Sequence, residues 1–436
     1  MRWHELDRVG GHTTKPGIAE VLPMRTSRRS FWLLLFLAFS AVTVGSEECS
    51  AFERRREQFH TEPSYLIFPL PYSIPGIGSG VVITGLLGNL LETHTDAYIL
   101  VVTGDAEGLI AAVEDIHLIE KTLILNLFNQ SIDRAIIQNF DKRGMDTKRD
   151  DYTLIEVSKV KTNVAQLVLS FDERRYELFA GVEAQAVKVP RVRTPEGDII
   201  WELDPPYFSE SESSSLGFTL DYTDDRQDPR VGLRWQVTRR ATPRASALDP
   251  DFFVLNSSFS GYVPVGAQST IGINYFTSDA VVLAEGVTDA GIVSAQILRC
   301  SLADPVCADL TEIFVAERKY GTATALGGED RLRAYPQGRF VGAHTQYYSV
   351  EFRWNFSGEM TPFDYFIWKD VRTAMQAAFY FESGTVADRL VELGDAWRST
   401  YGVGFRLLGA SGYVYRADLA FGDEGIAPTI IFNYPW

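Results

Sequence analysis

Long hydrophobic runs are nearly missing from this chain of 436 residues, although 45% of it is hydrophobic. The one long run, Phe31 to Val44, is 14 residues, short of the roughly 20 a spanning helix needs. Helical periodicity is almost absent after that run, which leaves strands as the building element. Basic charge is scarce, with 41 Lys and Arg against 57 Asp and Glu, and so acidic a chain argues against nucleic acid. The six histidines, His4, His12, His60, His94, His117 and His344, show no metal-ligand spacing. There is no P-loop and no G-x-S-x-G elbow. No enzyme and no cofactor are expected. The Asp224–Asp228 cluster lacks the spacing and final Glu of a calcium loop and reads as hairpin turn chemistry.

The single apolar run has the order of an export signal. Arg25, Arg28 and Arg29 precede it, and Gly45 and Ser46 follow it. Met24 lies where a start would fall, so residues 1–46 are expected to be absent from the mature protein. They carry six basic and three acidic residues, so their removal takes the net charge from −16 to −19. That charge suits solvated loops or a cation-attracting pore. Cysteine is also scarce. Cys300 and Cys307 lie in one polar stretch, and export makes a small-loop disulfide between them the expected state. Cys49 follows Ser46-Glu47-Glu48, which is not the small apolar run that lipidation needs.

What the chain does have is alternation. Leu216, Phe218, Leu220 and Tyr222 alternate with Gly217, Thr219 and Asp221. Tyr348, Val350, Phe352, Trp354 and Phe356 alternate with Ser349, Glu351, Arg353 and Asn355. Tyr401, Val403, Phe405 and Leu407 alternate with Gly402, Gly404 and Arg406. A soluble sandwich alternates too. Aromatics at the ends of the apolar faces, strands of about 10 residues and a charged opposite face fit lipid outside and a wet or plugged lumen inside. Only a closed barrel satisfies every backbone group in hydrocarbon.

The expected fold is therefore all-β, a transmembrane antiparallel barrel spanning 79–436 after a short periplasmic segment, 47–78. Fifteen strands can be placed from near Ser79 to Trp436, and even counts are the rule, so sixteen are expected. The sixteenth is sought within 281–320. The Pro- and Ser-rich stretch 188–213 and the stretch 281–342 read as loops.

Five motifs that occur in the family's order, and the last strand after them, resemble the BamA/TamA superfamily of bacterial surface antigens. Leu326 to Phe340, with Gly327, Gly328, Leu332, Arg333, Tyr335, Gly338, Arg339 and Phe340, is similar to that family's loop "GG-x-x-x-L-R-G-Y-x-x-G-R-F". Asp224-Asp225-Arg226 with Pro229 and Gly232 resembles its hairpin, Phe381 to Val386 its "D-x-G-x-V" strand end, and Tyr401 to Arg406 its "G-x-G-x-R" strand. Arg416-Ala417-Asp418 matches the penultimate strand. The last strand, with Ile430, Phe432, Tyr434 and Trp436 on one face, is similar to the aromatic C-terminal signal. The resemblance covers 214–436 by motif and 79–190 by architecture. Ala334 stands where the family has glycine, and Glu382 where Asp is usual. The family's periplasmic polypeptide-transport-associated domains do not fit into 47–78.

The resemblance implies a long loop folded into the lumen, with Arg333 paired to Glu382. By parity Glu351, Arg353, Arg406, Arg416 and Asp418 share that interior, and Gly402 and Gly404 would leave room for the loop or curve the strand. It also implies a bacterial outer-membrane location, insertion by the barrel-assembly machinery, lipid contact, and a role in assembling or translocating client outer-membrane proteins. The alternative is a passive channel or structural barrel whose interior charges only hold it together.

Overall fold

The computed structural model describes residues 58–436 except 60, 62, 243, 245, 247, 358–362, 366–367, 372–373, 409–413 and 433. The signal segment 1–46, its start at Met24 and Cys49 lie outside the described residues. The chain folds as a closed antiparallel barrel of sixteen strands. The wall begins with β1 (Ser64–Ile74), β2 (Gly78–Leu90), β3 (Thr95–Gly104), β4 (Glu107–Ile119) and β5 (Leu123–Phe140). β6 (Tyr152–Val157) and β7 (Lys159–Phe171) are one wall strand interrupted at Ser158, because both pair with β5. β8 (Tyr176–Arg193), β9 (Ile199–Asp221), β10 (Gly232–Thr242), β11 (Asp251–Val265), β12 (Ser269–Ala284) and β13 (His344–Asn355) follow. A short pair, β14 (Phe363–Tyr365) and β15 (Trp368–Val371), precedes β16 (Ala374–Ala387), β17 (Arg398–Leu408), β18 (Val414–Gly422) and β19 (Gly425–Phe432). Each wall strand pairs antiparallel with its neighbour, and β19 returns to β1 to close the ring.

Period-two alternation sorts the side chains. Val81, Ile83 and Leu87 of β2 face outward and are exposed, while Val82, Thr84 and Leu86 between them are buried. Phe379 and Phe381 point out where Tyr380 and Glu382 point in, and Tyr401, Val403 and Phe405 repeat the pattern on β17. The exterior is thus an apolar surface and the interior a polar one, the inverse of a soluble barrel. Most turns at the end where β1 begins and β19 ends are short, and the longest connection, between β12 and β13, lies at the opposite end. In a membrane barrel the short turns face the periplasm.

Three sequence expectations shift. The sixteenth strand is β1, ahead of Ser79, and 281–320 holds helices instead of a strand. Pro69 and Pro71 break the strand signature of β1, since proline withholds a ladder donor and is tolerated only where one side lacks full pairing. The stretch 188–213 is an extension of β8 and β9 and not a loop, with Pro190, Pro205 and Pro206 inside paired strands. The last strand ends at Phe432, and Tyr434 and Trp436 leave the wall.

Within the long connection, Pro305–Tyr320 forms helix α1, opened by Asp304, whose carboxylate accepts the Val306 N–H. Cys300 and Cys307 are joined across its first turn, with Cα atoms 5.9 Å apart. The chain then turns inward.

Candidate functional site

The inward turn is built on glycine. Leu326 and Phe340 exchange two backbone hydrogen bonds of 2.9 Å and bring the loop's ends together. Gly327 and Gly328 between them have φ of +101° and +110°, and a Cβ on Gly327 would lie 2.2 Å from the Pro336 carbonyl. Gly338 is also left-handed, at +69°. Leu332, Tyr335 and Phe340 are fully buried and pack with Phe276, Tyr347 and Tyr380 of the wall. Ala334 is accommodated against Gly422.

This turn presents Arg333 to the lumen wall with no exposed surface. Its Nε donates to Glu382 Oε1 at 2.8 Å, its Nη1 to Asp418 Oδ2 at 2.7 Å and its Nη2 to Glu351 Oε2 at 3.3 Å. The backbone N–H of Arg333 donates to the other Glu382 oxygen at 2.8 Å. The guanidinium lies 3.4 Å above the Tyr380 ring. Tyr347 donates its hydroxyl to Glu382 at 2.9 Å. Four acceptor contacts and a stacked ring make the loop's hold far more specific than a single pair.

The wall supplies these partners because strand register stacks them in levels. Ser349 pairs with Glu382, and Glu351 with Tyr380, which faces Gly402 on β17. One level toward the short-turn end lie Arg353, Ala378, Gly404 and Asp418, then Asn355, Gln376, Arg406 and Arg416. The small residues make room for the large ones. A Cβ on Gly402 would fall 2.3 Å from the Tyr380 hydroxyl, and one on Gly404 would fall 2.1 Å from Asp418 Oδ1. The glycines therefore admit neighbouring wall side chains and not the loop itself.

Around the loop arginine, Glu351 also accepts from Arg353 at 2.7 Å and Arg406 at 2.9 Å. Arg416 donates to Asp418 at 2.9 Å and to the Glu329 carbonyl at 2.6 Å. Arg339 reaches the opposite direction, to Glu424 at 2.7 Å and to the hydroxyl and carbonyl of Thr147. Gln337 N–H donates to the Pro75 carbonyl at 2.8 Å, so the loop spans from the β13–β18 wall to the turn after β1. Of the C-terminal aromatics, Phe432 ends β19. Tyr434 lies 4.2 Å from the Arg353 guanidinium and donates to Asp228 at 2.8 Å, and Trp436 stacks on Tyr262. Pro435 cannot extend the ladder, so the tail bends inward across the short-turn end.

Three features of this interior are not signalled by motif. Glu424 lies in the hairpin turn between β18 and β19 and carries no strand parity. Arg143 ties the β5–β6 loop to Asp388 at 2.6 Å and to the Gly321 carbonyl. A second buried cluster stands across the barrel, where Arg174 bonds Asp115 and Glu177, and Arg226 also reaches Glu177. A cavity of about 720 Å³ lies against the β4–β9 side, walled by Ala112, Phe128, Val164, Glu183 and Ser213.

Burial, with Asp330 beside it, lifts the Glu329 carboxyl to about 7 against the pull of Arg416. A raised folded value stabilises fully below the ordinary carboxylate range and loses that contribution as pH rises through about 7. The thermal unfolding midpoint should therefore fall between about pH 5 and pH 8, and Glu329→Gln should remove most of that fall. Asp141, lifted by burial to about 6, adds a smaller step of the same sign that the variant keeps. A pH profile identical in the variant would rule out Glu329 as the titrating group.

No family model matches the chain. No curated protein matches it either. Among solved structures it is similar in fold to BamA from Haemophilus ducreyi lacking POTRA domains 1–3, at 11% identity and TM-score 0.47, over 91% of this chain and 78% of that one. It is similar also to CdiB from Escherichia coli, at 13% identity and TM-score 0.45, over 86% of this chain and 67% of that one. CdiB from Acinetobacter baumannii aligns at 9% identity and TM-score 0.46, over 86% of this chain and 60% of that one.

Proposed function

We propose that this barrel sits in the bacterial outer membrane and assists assembly or translocation of a narrow set of outer-membrane or surface proteins. The observation that carries the reading is the seam. Among the described residues β1 pairs with β2 at all eleven of its residues, but with β19 at one register position, Ser73 with Ile430, and with the short β15 at one, Tyr65 with Lys369. Side chains supplement it, with Ser73 donating to the Pro428 carbonyl and Tyr415 to the Pro71 carbonyl. Pro69 and Pro71, two residues apart, withhold their donors from the same side of β1. Since the β2 side is fully paired, that side is the seam. A strand junction with few ladder bonds is one a client strand can enter by adding to an exposed edge. The pinned inner loop favours this over a wide pore, and the resemblance of the loop motif points the same way. Contact with lipid and insertion by the barrel-assembly machinery belong to the same reading.

The cavity on the β4–β9 side favours the second reading, a channel for small solutes. Joining Ser73→Cys to Ile430→Cys by a disulfide separates the two. If the seam takes clients, cells carrying the oxidised pair should lose the same few outer-membrane proteins as cells without the gene, and a reductant should restore them. Solute flux should be indifferent to the lock. An outer-membrane proteome unchanged both by deletion and by the lock would remove the assembly role and leave the channel.

A further inference from the structure

We propose that the upper edge of β9 is a docking site for an extended, basic polypeptide segment, which joins the barrel as an added strand. β9 is 23 residues long, about twice the 9–11 a tilted strand needs to cross a membrane. Its lower part, Ser214 to Asp221, pairs with both β8 and β10. Its upper part, Ile199 to Ser213, pairs only with β8 among the described residues, because the β10 ladder stops at Ala241 opposite Ser214. Below Pro206, one side of about 20 Å of strand, Tyr207 to Ser213 at about 3.3 Å per residue, therefore offers N–H and C=O groups with no ladder partner among the described residues.

The height of this edge follows from charge. Leu216 faces outward and is largely exposed, and Glu212 and Glu210 continue the same face. Lys188 on β8, opposite Phe208, and Lys161 and Lys159 on β7 also interrupt the outer apolar surface. Unpaired carboxylates and ammonium groups do not face hydrocarbon, so the upper strands stand in water above it. That placement rests on the membrane reading, whereas the free edge does not.

Exposed edges are usually blunted by proline, lysine or a covering segment. Pro205 and Pro206 blunt the top of this one, and the Trp201 indole is tied to Asp304 of the long connection. Below them Tyr207 to Ser213 has no proline, and six of its seven residues are exposed or half-buried. From Thr194 to Asp225 the chain has no Lys or Arg, and Glu210 and Glu212 make no ion pair among the described residues. Opposite charges directly across two strands stabilise the pair and like charges oppose it. The edge therefore selects a segment with Lys or Arg at alternate positions and disfavours a second copy of itself.

The test uses the full barrel in detergent and a fluorescent nonapeptide alternating Lys with Val. Binding by anisotropy is expected, because main-chain bonds supply affinity and alternate side chains supply specificity. N-methylation of one alternate set of peptide amides should weaken binding at least about tenfold, and methylation of the other set should not. Glu210→Gln with Glu212→Gln should lower affinity several-fold and flatten its salt dependence. These exposed changes leave folding intact, as heat-modifiable gel mobility would verify. Absence of binding, or equal binding of both methylated peptides, would overturn the proposal. A Ser211→Cys chain that cross-links to itself instead of to a cysteine-bearing peptide would overturn it in favour of a second copy. None of these outcomes depends on the seam, which the disulfide lock reads separately.

Discussion

Replacing Arg333 with alanine should free the inner loop and lower barrel stability by about 3–5 kcal/mol, the range for breaking a buried ion pair from one side. Among the described residues Arg333 is the sole cationic partner of Glu382, which would keep only the Tyr347 hydroxyl there. Asp418 and Glu351 would retain Arg416, Arg353 and Arg406, so the loss concentrates at Glu382. The loop would also forfeit its stacking on Tyr380. Three measurements register the outcome: the unfolding midpoint in detergent, proteolysis within 327–340, and conductance in a planar bilayer. The midpoint should drop, cleavage should appear and conductance should rise. Arg333→Lys should recover little, because one ammonium cannot reach three carboxylates along a planar fork. An alanine variant with unchanged midpoint, protection and conductance would show that apolar packing by Leu332, Tyr335 and Phe340 suffices to hold the loop.

Much of this interior is legible in the sequence because parity is a strong signal. Glu351, Arg353, Glu382, Arg406, Arg416 and Asp418 lie on strands whose opposite face is apolar, and alternation alone assigns them inward. Parity does not give the level at which inward residues meet, which depends on the stagger of one strand against the next. That Arg333 bridges Glu382, Asp418 and Glu351 at once is a fact of register between β13, β16 and β18. Glu424 is invisible to the same logic, since it lies in a turn where side chains have no fixed face.

The misplaced elements share one cause. Pro69, Pro71, Pro205 and Pro206 read as breaks, and proline does exclude a residue from a ladder paired on both sides. In β1 and in upper β9 the ladder has little or no pairing on one side, so the same residues are tolerated and even mark where bonding is thin. The inward bend after Phe432 has a related origin. Alternation carries the apolar face on to Trp436, but Asp228 offers the Tyr434 hydroxyl an acceptor inside the barrel, and Pro435 gives the wall no donor in exchange.

Glu351→Gln should be as damaging as the loss of Arg333, for a different reason. Glu351 accepts from Arg333, Arg353 and Arg406, and is fully buried. The cluster holds four arginines, 333, 353, 406 and 416, against three enclosed carboxylates, 351, 382 and 418, and the half-exposed Asp330 at 3.8 Å from Arg416, so its charges balance. The variant leaves four against three, an unmatched positive charge inside the barrel. Arg353 Nη1 and Nη2 and Arg406 Nε and Nη1 have no acceptor among the described residues, so they have no reserve with which to compensate. A loss of about 3–5 kcal/mol is expected. Adding Arg353→Met restores the balance and replaces the guanidinium with an apolar chain against Tyr434 and Trp436. The double variant should then be more stable than Glu351→Gln alone, with a coupling of at least about 1 kcal/mol. Additive losses in that cycle would mean that Glu351 acts through its shape and local hydrogen bonds. A positive coupling would mean that the barrel's interior is set by charge balance and not by the shape of any one side chain.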